Sequence, residues 1–292
     1  MITEEFRRNP NKDVASSGAV SAISRSCRYT PLENTKVAPR IGISDFFISS
    51  YTPTLRTLME ARARTVPMAH KVLPIVQPNP WPGFSPLPKT KDELQEIYNV
   101  VPAHMFVSLG PQGVTDLEGE HATLRNITTR LGGASILHLD CHGVQETLDP
   151  LRSVFILRDG ERLTVKDLME QRLPLASIAF PSACYTASSD IERPDEAINL
   201  ANGLLFAGFS SVSAMMWIVR LRANLDNAHV LNRPMGDAAR PIVTRTVYKK
   251  LFQDLGGRPD ARLVAMALDA AVRDLRKTVS WEQWAVFIHI SI

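Results

Sequence analysis

Leu175 to Phe180 is a nearly unbroken apolar run, and no other feature restricts the fold of this chain as strongly. Such a run suits a strand covered on both faces, as in a parallel sheet held between two layers of helices. Val72-Leu73-Pro74-Ile75-Val76, Ala134 to Leu139, Val154 to Leu157, Val212 to Trp217 and Trp284 to Ile290 read as further strands, and a short one starts at Phe46-Phe47-Ile48. Between them apolar positions recur at helical spacing: after Pro53 (Leu55, Leu58, Met59), through Leu94, Ile97 and Tyr98, over about 119–131, from Pro194 to Phe206, and near 241–254 and 261–276. Thr90 with Glu93, and Thr164 with Asp167, have the spacing of a capping box. This alternation predicts a mostly parallel sheet with helices on both faces. Pro74 has no N–H for a ladder, which places its strand at an edge or a bulge.

Residues 1–42 lack an apolar period and are rich in Ser, Asn, Arg and Pro, so the expected organisation is a poorly ordered leader followed by one domain over 43–292. The 33 basic and 30 acidic side chains leave a net charge of only +3, which argues against a nucleic-acid partner. The polar N-terminus does not read as an export signal, so none is expected, and no run of about 18 apolar residues is present to span a membrane. Three cysteines, Cys27, Cys141 and Cys184, are too few for a disulfide framework and suit a reducing, cytoplasmic setting.

Two of the strands end in loops of chemical interest. Ala134 to Leu139 runs into Asp140-Cys141-His142-Gly143, and Leu175 to Phe180 runs into Pro181-Ser182-Ala183-Cys184. Loops leaving the carboxyl ends of neighbouring parallel strands converge on one rim, so His142 and Cys184 are candidates for a reacting pair. A thiol with a pKa of about 8.5 is a poor nucleophile at neutral pH, and a nearby imidazole raises its thiolate fraction or shuttles its proton. Cys141 should face away from His142 and pack in the core. His138 is expected to be a satisfied interior residue, because tetrahedral zinc wants four protein ligands, or three with water, and no paired C-x₂₋₄-C is present; neither a metal nor a cofactor is expected. Asp190, with Glu192 and Asp195, is a candidate for tuning a pocket toward a basic side chain, although acids beside a helix start are common and that reading is preferred.

The stretch Leu137-His138-Leu139-Asp140-Cys141-His142-Gly143 resembles the H-x-x-C-H-G element of CHAT domains. Phe180-Pro181-Ser182-Ala183-Cys184-Tyr185-Thr186-Ala187 resembles their L-S-A-C-x-T element. CHAT domains are relatives of caspases and separases. Ser50-Tyr51-Thr52-Pro53-Thr54-Leu55, Pro194 through Gly208, Met216-Trp217 and the closing Trp284 to His289 are similar to the versions at the C-termini of fungal repeat proteins, so the resemblance covers roughly 43–292. It implies a three-layer α/β/α caspase-like fold with a mostly parallel central sheet and a cysteine endopeptidase acting on a polypeptide substrate. Cys184 would be the nucleophile, His142 the proton-transfer partner, and the backbone N–H groups of Gly143 and Cys184 the oxyanion donors. Ser182 would border the pocket for the residue preceding the cut.

Such domains are usually effectors attached to repeat or sensor modules, so the chain is expected to belong to a longer architecture or to answer to a partner. Departures from the pattern are the absent Trp- and Pro-rich opening segment, an apparent insertion at 218–234, Pro181 in place of a usual strand residue and Ser291 in place of a usual Gly. They keep two alternatives open: a catalytically silent interaction module on the same scaffold, and a non-proteolytic acyl or amide hydrolase using the same pair.

Overall fold

A computed structural model describes residues 2–7, 45–54, 59, 70–79, 82–111, 115–146, 149–182, 200–215, 239–254 and 258–291. In chain order the strands β1 (Ile2–Arg7), β2 (Phe47–Thr52) and β3 (Val72–Val76) are followed by helices α1 (Lys89–Val100) and α2 (Leu124–Leu131). Next come β4 (Ile136–Asp140), β5 (His142–Val144), β6 (Val154–Ile156), β7 (Arg162–Thr164) and helix α3 (Val165–Glu170). The chain continues through β8 (Ile178–Pro181), α4 (Leu200–Phe206), β9 (Ser211–Met215), α5 (Arg240–Lys249), α6 (Val264–Leu275), α7 (Trp281–Trp284) and β10 (Phe287–Ser291).

The central sheet has the order β1-β2-β10-β9-β8-β4-β3, and β5-β6-β7 form a separate antiparallel sheet. Strands β3, β4, β8 and β9 run parallel, whereas β10 is antiparallel to β9 and β1 is antiparallel to β2. Side chains alternate between the two faces, as a pleated strand requires. Leu137, Leu139 and Cys141 join Leu73, Ile75 and Ala179 in one core with Ile127 of α2, Leu168 of α3 and Leu204 of α4. Ile136, Ile178 and Phe180 enter a second core with Ile97 of α1, Val247 of α5 and Leu268 of α6. The result is a three-layer α/β/α architecture with a mostly parallel centre, as expected, and β3 carries Pro74 at the edge of the sheet.

Several local expectations shift for identifiable reasons. Thr90 is not the cap of α1: Pro88 holds that position, the Thr90 hydroxyl donates to the Leu87 carbonyl (2.8 Å), and Glu93 turns into the interior instead of capping. The capping box at Thr164 and Asp167 does form. Helix α2 begins later than expected because Thr123 caps it, its side chain accepting from the Asn126 N–H. Trp284 ends a short helix, so the last strand starts at Phe287. Within the segment read as a leader, Ile2–Arg7 forms the outermost strand of the sheet, paired with β2. Leu55 and Leu58, residues 194–199, Met216-Trp217 and the apparent insertion at 218–234 lie outside the described residues, while Met59 is helical. Among the described residues no helix is long and apolar enough to cross a membrane.

One glycine is fixed by its surroundings. Gly119 has φ +67°, and a Cβ there would stand 2.2 Å from the Val76 carbonyl oxygen, a backbone atom of β3 that cannot move aside cheaply. Gly119→Ala is expected to cost roughly 1–3 kcal/mol, read as a lower denaturant midpoint, and an unchanged midpoint would refute the close approach.

Candidate active site

The carboxyl ends of β4 and β8 lie side by side in the sheet. Their parallel pairing sets Leu139 opposite Pro181, and the Ser182 N–H donates to the Leu139 carbonyl (2.7 Å) just beyond the last paired residues. That bond restores the ladder after Pro181, which brings no N–H of its own. His142 follows Leu139 by three residues and Cys184 follows Pro181 by three, so the two loops start from neighbouring, level positions about 4.8 Å apart. Cys184 itself and Asp190 lie outside the described residues.

His142 opens β5 and is half-buried. Its Nε2 donates to the carbonyl of Ser85 (2.8 Å), and the ring of Phe84 leans against it at 5.0 Å between centroids. Both contacts come from the Pro-rich loop before α1. A carbonyl oxygen only accepts, so this bond places a proton on Nε2 and leaves Nδ1 as the nitrogen able to take one. Gly143 pairs with Phe155 in the small antiparallel sheet. Cys141 turns the other way and is buried in the core beneath α2, α3 and α4, as expected.

Beneath the two loop starts lies a buried polar cluster that sequence reasoning did not assemble. Glu93, Asp140, His138 and Arg240 are at most 1% exposed. One carboxylate oxygen of Glu93 accepts from the hydroxyls of Ser182 (2.5 Å) and Thr244 (2.6 Å) and lies 3.2 Å from His138 Nε2. Its other oxygen is 3.4 Å from Arg240 Nε. Arg240 Nη2 donates to Asp140 (2.7 Å) and Nη1 to the Ser182 carbonyl (3.0 Å), while the Tyr248 hydroxyl is 3.3 Å from His138 Nδ1. Burial alone would push the Glu93 carboxyl up, but the His138 hydrogen bond, the Arg240 and His138 charges and the Ser182 hydroxyl outweigh it and hold the group well below the usual carboxylate range. Tyr248 is pushed well above its ordinary value, by burial first and by the nearby Glu93 charge second.

Donor atoms of Glu93, His138 and Asp140 lie within 4.8 Å of one another, the spacing of a cation site. The Arg240 guanidinium already stands against both carboxylates and supplies the positive charge a metal would bring. Ser182 borders a pocket with Phe180, Ser213, Met215, Thr244, Val247 and Phe287. Its hydroxyl, however, is committed to Glu93, so the pocket meets the rest of this residue.

Local signals could not have assembled this cluster. Glu93 sits three residues after a threonine and imitates a cap, and Arg240 is a hundred residues from its partner Asp140. The hydrogen bond from His142 to Ser85 spans 57 residues. Among families, the CHAT domain matches residues 27–226, a span that holds both His142 and Cys184. No curated protein matches the chain.

Proposed function

The chain belongs to the CHAT domain family, a caspase-like, peptidase-related group, and on that premise we propose that it is a cysteine endopeptidase in which Cys184 and His142 act as a pair. The observation that carries this reading is the level pairing of β4 and β8, which sets the roots of the two loops side by side. Support also comes from Ser85, whose carbonyl orients the His142 ring and leaves Nδ1 available.

In the proposed reaction Nδ1 of His142 accepts the proton of the Cys184 thiol and the sulfur attacks the peptide carbonyl carbon. The resulting oxyanion is held by the backbone N–H groups of Gly143 and Cys184. Collapse breaks the C–N bond, His142 returns the proton to the departing amine, and a thioester remains. Water, deprotonated by His142, then attacks the thioester, releasing the acid and regenerating the thiol. Ser182 borders the pocket for the side chain before the cut, and Asp190 is the weaker candidate for tuning that pocket toward a basic side chain. We place this activity in the cytoplasm, under the control of repeat or sensor domains joined to the chain or bound to it.

Labelling with iodoacetamide, read on the peptide that contains Cys184, tests the pair directly. The wild type is expected to react faster than His142→Ala at neutral pH by roughly ten- to a hundredfold, and equal rates would remove the dyad. A proteome-wide cleavage comparison of the wild type with Cys184→Ala then separates a peptidase from a silent interaction module, for which the two peptide profiles would be identical.

A further inference from the structure

We infer that Arg240 is a positioning residue that ties the exits of β4 and β8 together and so fixes the spacing of the two loops, an inference resting on the dyad reading above. One guanidinium reaches both exits. Nη2 donates to Asp140, two residues before His142, and Nη1 donates to the carbonyl of Ser182, two residues before Cys184. Nε faces Glu93 at 3.4 Å, and Glu93 in turn accepts from the Ser182 hydroxyl, so the second exit is held by both its carbonyl and its side chain. Thr244, one turn along α5 from Arg240, donates to the same carboxylate and fixes the helix to the arrangement.

The residue types matter. A guanidinium is a planar fork with several donors at fixed angles, so one side chain bridges two acceptors on different strands; an ammonium is a point charge that serves one well. The fork is buried, its partners lie on regular elements or at their ends, and the sheet ladder holds those elements level. This is the kind of support a reacting pair requires, because a displacement of about 1 Å between reacting groups costs up to a hundredfold in rate.

Arg240→Lys keeps the positive charge and removes the fork. Two readouts are compared with those of Leu251→Ala, a core truncation further along the same helical segment that destabilises without touching either exit. The first is amide hydrogen exchange in peptides spanning 139–144 and 180–184; the second is the iodoacetamide rate at Cys184. In Arg240→Lys both peptides are expected to exchange faster together and labelling to slow by roughly tenfold, while Leu251→Ala changes neither selectively. Should Arg240→Lys fail to fold, Ser182→Ala removes only the hydroxyl tie to Glu93 and is expected to loosen 180–184 while leaving 139–144 unchanged. Exchange in both peptides no different from the Leu251→Ala control, in whichever variant folds, overturns the inference. The exchange result stands whether or not His142→Ala slows labelling, so loss of the dyad and loss of the bridge are read separately.

Discussion

Arg240→Ala is expected to lower the folding stability by about 3–5 kcal/mol, because it leaves Glu93 and Asp140 buried without the cation that stands between them. Both carboxylates are fully buried, and removing one partner of a buried ion pair is among the costliest changes a core can suffer. The pH dependence identifies the cause. In the wild type the Glu93 carboxyl is held below its unfolded value, so its contribution is complete above the ordinary carboxylate pKa of about 4.3 and is lost as pH falls further. Without Arg240 one of the groups that hold it down is gone while the His138 and Ser182 contacts remain, so the same carboxyl moves up from its wild-type position; acid then neutralises it more readily in the folded variant and relieves part of the penalty. The deficit of Arg240→Ala relative to the wild type should therefore shrink as the pH is lowered, compared at about pH 7.5 and pH 5. Adding Glu93→Gln in the Arg240→Ala background should recover part of the loss at neutral pH. Denaturant titrations of the three proteins at both pH values give the answer, and a deficit under about 1 kcal/mol, or one equal at the two pH values, would mean that no charge is left stranded.

The fold was legible wherever a local pattern decides it. The apolar runs at 72–76 and 175–180 give β3 and β8 because strands of a covered parallel sheet are apolar on both faces, and Pro74 correctly points to an edge. The antiparallel direction of β10 was not legible, since a strand's direction depends on how the chain returns and not on its own residues. Ile2–Arg7 escaped notice because Thr, Glu and Arg interrupt its apolar positions, and only the pairing with β2 reveals it. Of the site, the strand ends that precede His142 and Cys184 could be read from the sequence, though His142 itself opens β5 and not a loop, while the orienting carbonyl of Ser85 could not, because a backbone oxygen leaves no trace in residue identity. Glu93 shows a sharper failure. The helix-start pattern Thr90 to Glu93 is present, yet four polar partners from β4, α5 and the Cys184 loop draw the carboxylate inward, and tertiary contacts override a cap worth about 1 kcal/mol.

Outside the site, His289 should make the protein acid-sensitive. It lies in β10 with Nδ1 2.7 Å from the Ser50 hydroxyl of β2 and Nε2 2.8 Å from the Ser211 hydroxyl of β9, so one imidazole links three adjacent strands. Each hydroxyl can donate or accept, which satisfies a neutral ring in either tautomer. Burial pushes the ring down to about 4. An unfolded histidine titrates near 6.5, so the unfolded chain takes up a proton that the folded one refuses. Stability is therefore full above about pH 6.5 and falls by up to 1.4 kcal/mol per pH unit toward pH 4, a total of about 3 kcal/mol from this one group. His289→Gln can hydrogen-bond but cannot titrate; it should be less stable than the wild type at neutral pH, yet lose less between about pH 6.5 and pH 4. Parallel acid limbs for the two proteins would show that the imidazole is charged in the folded state, and that the link across β2, β10 and β9 does not depend on a neutral ring.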